Sequence, residues 1–92
     1  MKEPNNMVDL NGVIIVTESD RWGKPLEIAV ETDDFQTYII TGKQKGKELF
    51  KHISKRLSLS CQLEGKNYYG HSIVSVFNYN LTNNQTGKIQ TG

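Results

Sequence analysis

The chain has 92 residues, 36% of them hydrophobic and 23% charged, with a net charge of +1. That length fits one domain burying roughly 60 to 65% of its unfolded surface, and the composition excludes an intrinsically disordered chain. No stretch approaches the roughly 18 apolar residues of a membrane span, no apolar run follows Lys2, and the single Cys61 excludes an internal disulfide.

These features predict a soluble, uncleaved, cytoplasmic protein. Two matches to the glycosylation sequon, at Asn80 and Asn84, fall in a stretch rich in Asn and Thr and read as coincidence. The small net charge conceals an uneven layout. Residues 1–34 hold eight acids against three bases, and the remainder holds eight bases against two acids.

In chain order, residues 1–6 read as a flexible start, and residues 7–17 as a long first strand. Val8, Leu10, Gly12, Ile14 and Val16 share one parity of that strand, and Gly12 marks a point where it can bend. Glu18 to Pro25 gathers turn formers around Trp22 and reads as a loop. Leu26, Ile28 and Val30 then alternate with Glu27, Ala29 and Glu31, which predicts a second strand with its apolar set inward.

Asp33-Asp34 turns the chain into a third strand over 35–41, so strands two and three form a hairpin. Leu49, Phe50 and Ile53 carry the spacing of one buried face on a two-turn helix over 46–53. Leu57, Leu59, Cys61 and Leu63 alternate with polar residues in a fourth strand, which Gly65 to Gly70 closes as a loop. Residues 71–81 form a fifth strand, and 82–92 read as a disordered tail.

Five strands with a helix between the third and fourth predict an all-β fold over residues 7–81. The order resembles the OB-fold, a five-stranded Greek-key barrel, through the Gly12 bend, the strand 2–3 hairpin and a helix positioned to plug one barrel end. The resemblance is to an architecture and carries no diagnostic motif. An SH3-like barrel and a mixed α+β sheet accommodate the same elements.

The OB-fold resemblance implies a ligand lying across strands 2 and 3, between the loops joining strands 1–2 and 4–5. Those loops hold Arg21, Trp22 and Lys24 on one side and Lys66, Tyr68 and Tyr69 on the other. Flat rings for stacking beside cations for phosphates are what single-stranded DNA or RNA requires, which makes this the expected function. The structural readings of the same residues are tyrosines packed over the barrel mouth and Trp22 folded back as a lid.

Glu27 and Glu31 oppose a polyanion if they face the groove. A second basic group, Lys43, Lys45, Lys47, Lys51, Lys55 and Arg56, lies on the connection and helix and reads first as a solvated face. It also offers the alternative reading, an assembly domain that binds an acidic partner protein or a second copy of itself. Cys61 shares the parity of three leucines and reads as core. With no nucleophile elbow, no metal-ligand spacing around His52 or His71 and no phosphate loop, the expectation is a non-enzymatic protein with no cofactor.

Overall fold

The computed structural model describes residues 6–82. Its elements are β1 (Met7–Ser19), β2 (Pro25–Thr32), β3 (Thr37–Gln44), a 3-10 helix (Gly46–His52), β4 (Arg56–Lys66) and β5 (Ser72–Leu81). The strands close into a barrel in the order β1-β2-β3-β5-β4, with β1 returning to β4. All neighbours are antiparallel except β3 and β5, which run parallel. This is an all-β, OB-fold-like barrel, as the element order predicts. The expected flexible start and tail lie outside the described residues except at Asn6 and Thr82, whose backbones bond to Leu63 and Arg56.

Barrel closure depends on β1 serving two neighbours. Residues Met7–Val13 pair with β4, and Gly12–Ser19 pair with β2, so only Gly12 and Val13 have partners on both sides. A strand that changes neighbours must bend there, and at Gly12 an added Cβ would collide with the Glu31 carbonyl.

The inward parity of each strand builds one core: Leu10 and Ile14 from β1, Ile28 and Val30 from β2, Ile40 from β3, Leu57, Leu59 and Cys61 from β4, and Val74 and Val76 from β5. Each fully buried aliphatic side chain contributes about 1.5–3 kcal/mol through removal from water. The Cys61 thiol is pushed up to about 12, first by burial and second by the Asp9 carboxylate, so it is a core residue as expected.

Three local expectations are corrected. The helix is 3-10 in form, with three residues per turn, so Gly46 and Leu49 are buried while Phe50 is partly exposed at the edge and Ile53 packs against the core only in part. Leu26 is exposed, because β2 and β3 pair only from Ile28 and Ile40 onward and part before Leu26 reaches the interior. Ala29, on the polar parity of β2, is fully buried between its cross-strand neighbours Ile15 and Ile39. The outer face of β1-β2-β3 therefore has an apolar centre.

Bulges explain where alternation changes. One extra residue at Phe77, where Ser60 pairs with Asn78 but Cys61 with Val76, reverses the parity of β5 and turns Tyr79 inward. The Tyr79 hydroxyl donates to Glu48 Oε1 at 2.8 Å, tying β5 to the 3-10 helix.

Replacing Gly12 by Ala is expected to lower unfolding stability by about 2 kcal/mol, since the Glu31 backbone must move to admit the methyl group. Urea denaturation measures this, and an unchanged midpoint would show that the bend does not require glycine.

Candidate functional site

Two loops flank the outer face of β1-β2-β3, and they are built on one plan. In the β1–β2 loop, Asp20 Oδ1 accepts from the backbone N–H groups of Trp22 and Lys24, both at 2.9 Å. In the β4–β5 loop, Asn67 Oδ1 accepts from those of Tyr69 and His71, also both at 2.9 Å.

The backbone bonds match as well. Asp20 N–H donates to Lys24 O at 2.9 Å and Gly23 N–H to Asp20 O at 3.0 Å, while Asn67 N–H donates to His71 O at 2.9 Å and Gly70 N–H to Asn67 O at 3.0 Å. Gly23 and Gly70 both have φ of 87°, a left-handed conformation suited to glycine.

The sequences Asp20-Arg21-Trp22-Gly23-Lys24 and Asn67-Tyr68-Tyr69-Gly70-His71 are thus two copies of one turn: an Asp or Asn acceptor, an aromatic at the third position, glycine at the fourth and a basic residue at the fifth. The β2–β3 turn, Thr32 to Gln36, repeats the backbone bonds, but Phe35 holds the left-handed position with φ of 64°.

This frame holds the aromatic rings out. Trp22 is 81% exposed, Tyr68 94% and Tyr69 80%. These exposures overturn the lid reading of Trp22 and the packed reading of the tyrosines, and the side-chain acceptor inside each turn fixes the backbone that carries the rings. The Arg21 guanidinium lies over the Trp22 ring at 5.3 Å, and the Tyr68 and Tyr69 rings meet edge to face at 5.3 Å.

Between the β4–β5 loop and the barrel runs a groove of about 450 Å3, floored by Thr17, Glu18, Glu27 and Ile39 and walled by Asn67, Tyr68, Tyr69 and His71. A bulge at Thr17 brings both Thr17 and Glu18 to this floor, where strict alternation would send them to opposite faces. Thr17 Oγ1 donates to Glu27 Oε2 at 2.7 Å. Glu18 and Glu27 are direct cross-strand partners, and no basic side chain among the described residues forms an ion pair with either.

A second groove of about 750 Å3 opens where β2 and β3 part, and Leu26, Phe50, Lys24 and Lys47 line it with Glu18 and Glu27 shared between the two grooves. Glu27 thus lines both grooves, whereas Glu31 lines neither.

The structure places Tyr68 and Tyr69 together in the first groove and Lys24 in the second. Arg21 and Trp22 form a pair on their own loop, and Lys66 lies exposed at the end of β4. Of the second basic group, Lys47 lines the second groove and Lys55 and Arg56 line a separate depression. Lys47 joins Lys24, and Arg56 is held by Asp33 at 2.9 Å, an exposed pair of about 0.5 kcal/mol at most. Sequence reasoning missed Asp20 and Asn67 as positioning residues and Glu18 and His71 as groove residues. The repeated spacing of Asp or Asn, aromatic, glycine and base was the available signal.

Among the described residues no three His, Cys, Asp or Glu side chains gather as a metal site, and no helix is long and apolar enough to cross a membrane. No protein-family model matches the chain, and comparisons with curated proteins and with solved structures return no match.

Asn67→Ala removes both side-chain bonds of its turn, an expected loss of about 1 kcal/mol concentrated in the loop. Amide hydrogen exchange should accelerate at Tyr69 and His71 while the core amides of β4 and β5 hold. Unchanged exchange at those two amides would show that the side chain does not set the turn.

Proposed function

We propose that this protein is a non-enzymatic binding module that takes single-stranded nucleic acid across the face between its β1–β2 and β4–β5 loops. The observation that carries this reading is the duplicated turn: two loops of the same construction each hold an aromatic ring in solvent, Trp22 beside the Arg21 guanidinium and Tyr69 beside Tyr68. Of the four rings left at least 80% exposed, Phe35 belongs to the β2–β3 turn and Trp22, Tyr68 and Tyr69 to these two loops, where base stacking would contribute about 1–3 kcal/mol per base.

The electrostatic layout sets the orientation of the strand. Glu18 and Glu27 repel phosphates from the groove floor, and Arg21, Lys24 and Lys66 attract them along the rims. Bases therefore turn toward the groove and phosphates toward the loops. The unpaired Glu18 and Glu27 also favour a second reading, in which a basic side chain of a partner protein enters the groove between the tyrosines.

Binding of a labelled mixed-sequence oligonucleotide, followed by anisotropy, separates the two. Trp22→Ala and Tyr69→Ala should each weaken binding about tenfold, with thermal stability held because both rings are exposed. Three rim cations predict a log-affinity against log-salt slope of about −2 for a single strand. Absence of oligonucleotide binding, with retention of a basic peptide, would replace the first reading by the second.

A further inference from the structure

We propose that copies of this chain associate end to end, with Phe35 of one copy seated in the second groove of the next. The inference goes beyond nucleic-acid binding and does not rest on it.

Two features at opposite ends of the β2–β3 hairpin have no role in the fold or in the proposed function. The first is Phe35 in the turn. It is 82% exposed and holds φ of 64°, the left-handed position that glycine fills in the other two loops at Gly23 and Gly70. A bulky side chain is disfavoured there, and an exposed ring gains no burial. Asp33 and Asp34 precede it, and the depression beside the turn adds Asp9 as a third acid. Among the described residues Arg56 pairs only with Asp33, while Asp34 accepts from the Thr32 hydroxyl, so the turn presents an aromatic ring in a negative surround.

The second feature is the groove of about 750 Å3 at the other end of the hairpin. Leu26 is the one residue of β2 with no register partner in either neighbouring strand, and Thr41 to Lys43 have none in β2 or β5. The ladder opens there, and Leu26, Ile40 and Phe50 line the gap, with Leu26 53% and Phe50 36% exposed. The acids of this groove, Glu18 and Glu27, belong to the part it shares with the first groove. Beyond them its charges are Lys24 and Lys47, and neither forms an ion pair among the described residues. The Lys47 stem lies across Gly42, where a Cβ would stand 3.6 Å from Cε.

The two features complement each other. A ring flanked by carboxylates fits an apolar gap flanked by ammonium groups, and one contact removes Phe35, Leu26 and Phe50 from water together. The occupant is a second copy because the chain itself displays the matching ring. Ring and groove are different surfaces, so each contact leaves one ring and one groove free and the association is heterologous.

Sedimentation velocity across a concentration series tests this. The wild-type mass should rise with concentration. Phe35→Gly removes the ring and suits the turn, so this variant should stay monomeric with an unfolding midpoint at or above that of the wild type. Leu26→Glu places an acid in the groove and should also be monomeric. An equimolar mixture of the two variants should form a heterodimer, since one supplies the groove and the other the ring. A wild type that stays monomeric at every concentration, a Phe35→Gly variant that associates as the wild type does, or a mixture that stays monomeric overturns the inference. Nucleic-acid binding through Trp22, Tyr68 and Tyr69 survives that outcome, because those rings lie outside both surfaces.

Discussion

The barrel rests on one strand having two partners. Gly12 and Val13 are paired in register with β2 on one side and with β4 on the other, and the missing side chain at Gly12 lets the Glu31 backbone approach at the bend. Because β1 is shared in this way, its second half carries Thr17 and Glu18 up to the face where the β4–β5 loop arrives. A straight first strand would leave β4 and β2 in separate sheets, and the tyrosines would have no groove to wall. Closure and site are consequences of the same constraint.

The loops add a second level of order that the barrel does not require. Asp20 and Asn67 each fix a turn through two short hydrogen bonds, and each turn spends its third position on an aromatic side chain that the core never touches. Local hydrogen bonding thus supplies the rigidity that burial supplies elsewhere. On the proposed reading, these bonds preorganise the backbone that carries the rings, which lowers the ordering cost of binding. Between them, Glu18 and Glu27 stand as cross-strand partners that form no ion pair among the described residues, with Lys24 and Lys47 lining the adjoining groove.

Strand order and most of the core were legible from parity, since Leu10, Ile14, Ile28, Val30, Leu57, Leu59 and Cys61 all point inward as their alternation predicts. Alternation fails where the ladder does. Leu26 escapes because β2 leaves β3 before reaching it, and Tyr79 turns in because the Phe77 bulge shifts its parity. A short apolar run cannot distinguish an α-helix from a 3-10 helix, so the spacing predicts Phe50 in the core, whereas it lies partly exposed at the second groove. At the site, the aromatic residues were legible by type and loop position. The carboxylate floor was not, because it depends on a bulge at Thr17 that no local propensity announces. The duplicated turn was present in the sequence, twice, as an Asp or Asn followed at fixed spacing by an aromatic, a glycine and a base.

The most direct measurement is an amide-resolved NMR titration with a mixed-sequence single-stranded DNA and a matched RNA, at low salt and again at about 200 mM. Salt-sensitive shifts are expected at Arg21–Lys24 and Lys66–His71 together, with the floor residues Thr17, Glu18 and Glu27 following and the surface around Lys51 and Lys55 still. Shifts confined to the segment from Lys43 to Arg56, or none with either strand, would contradict nucleic-acid binding at this face.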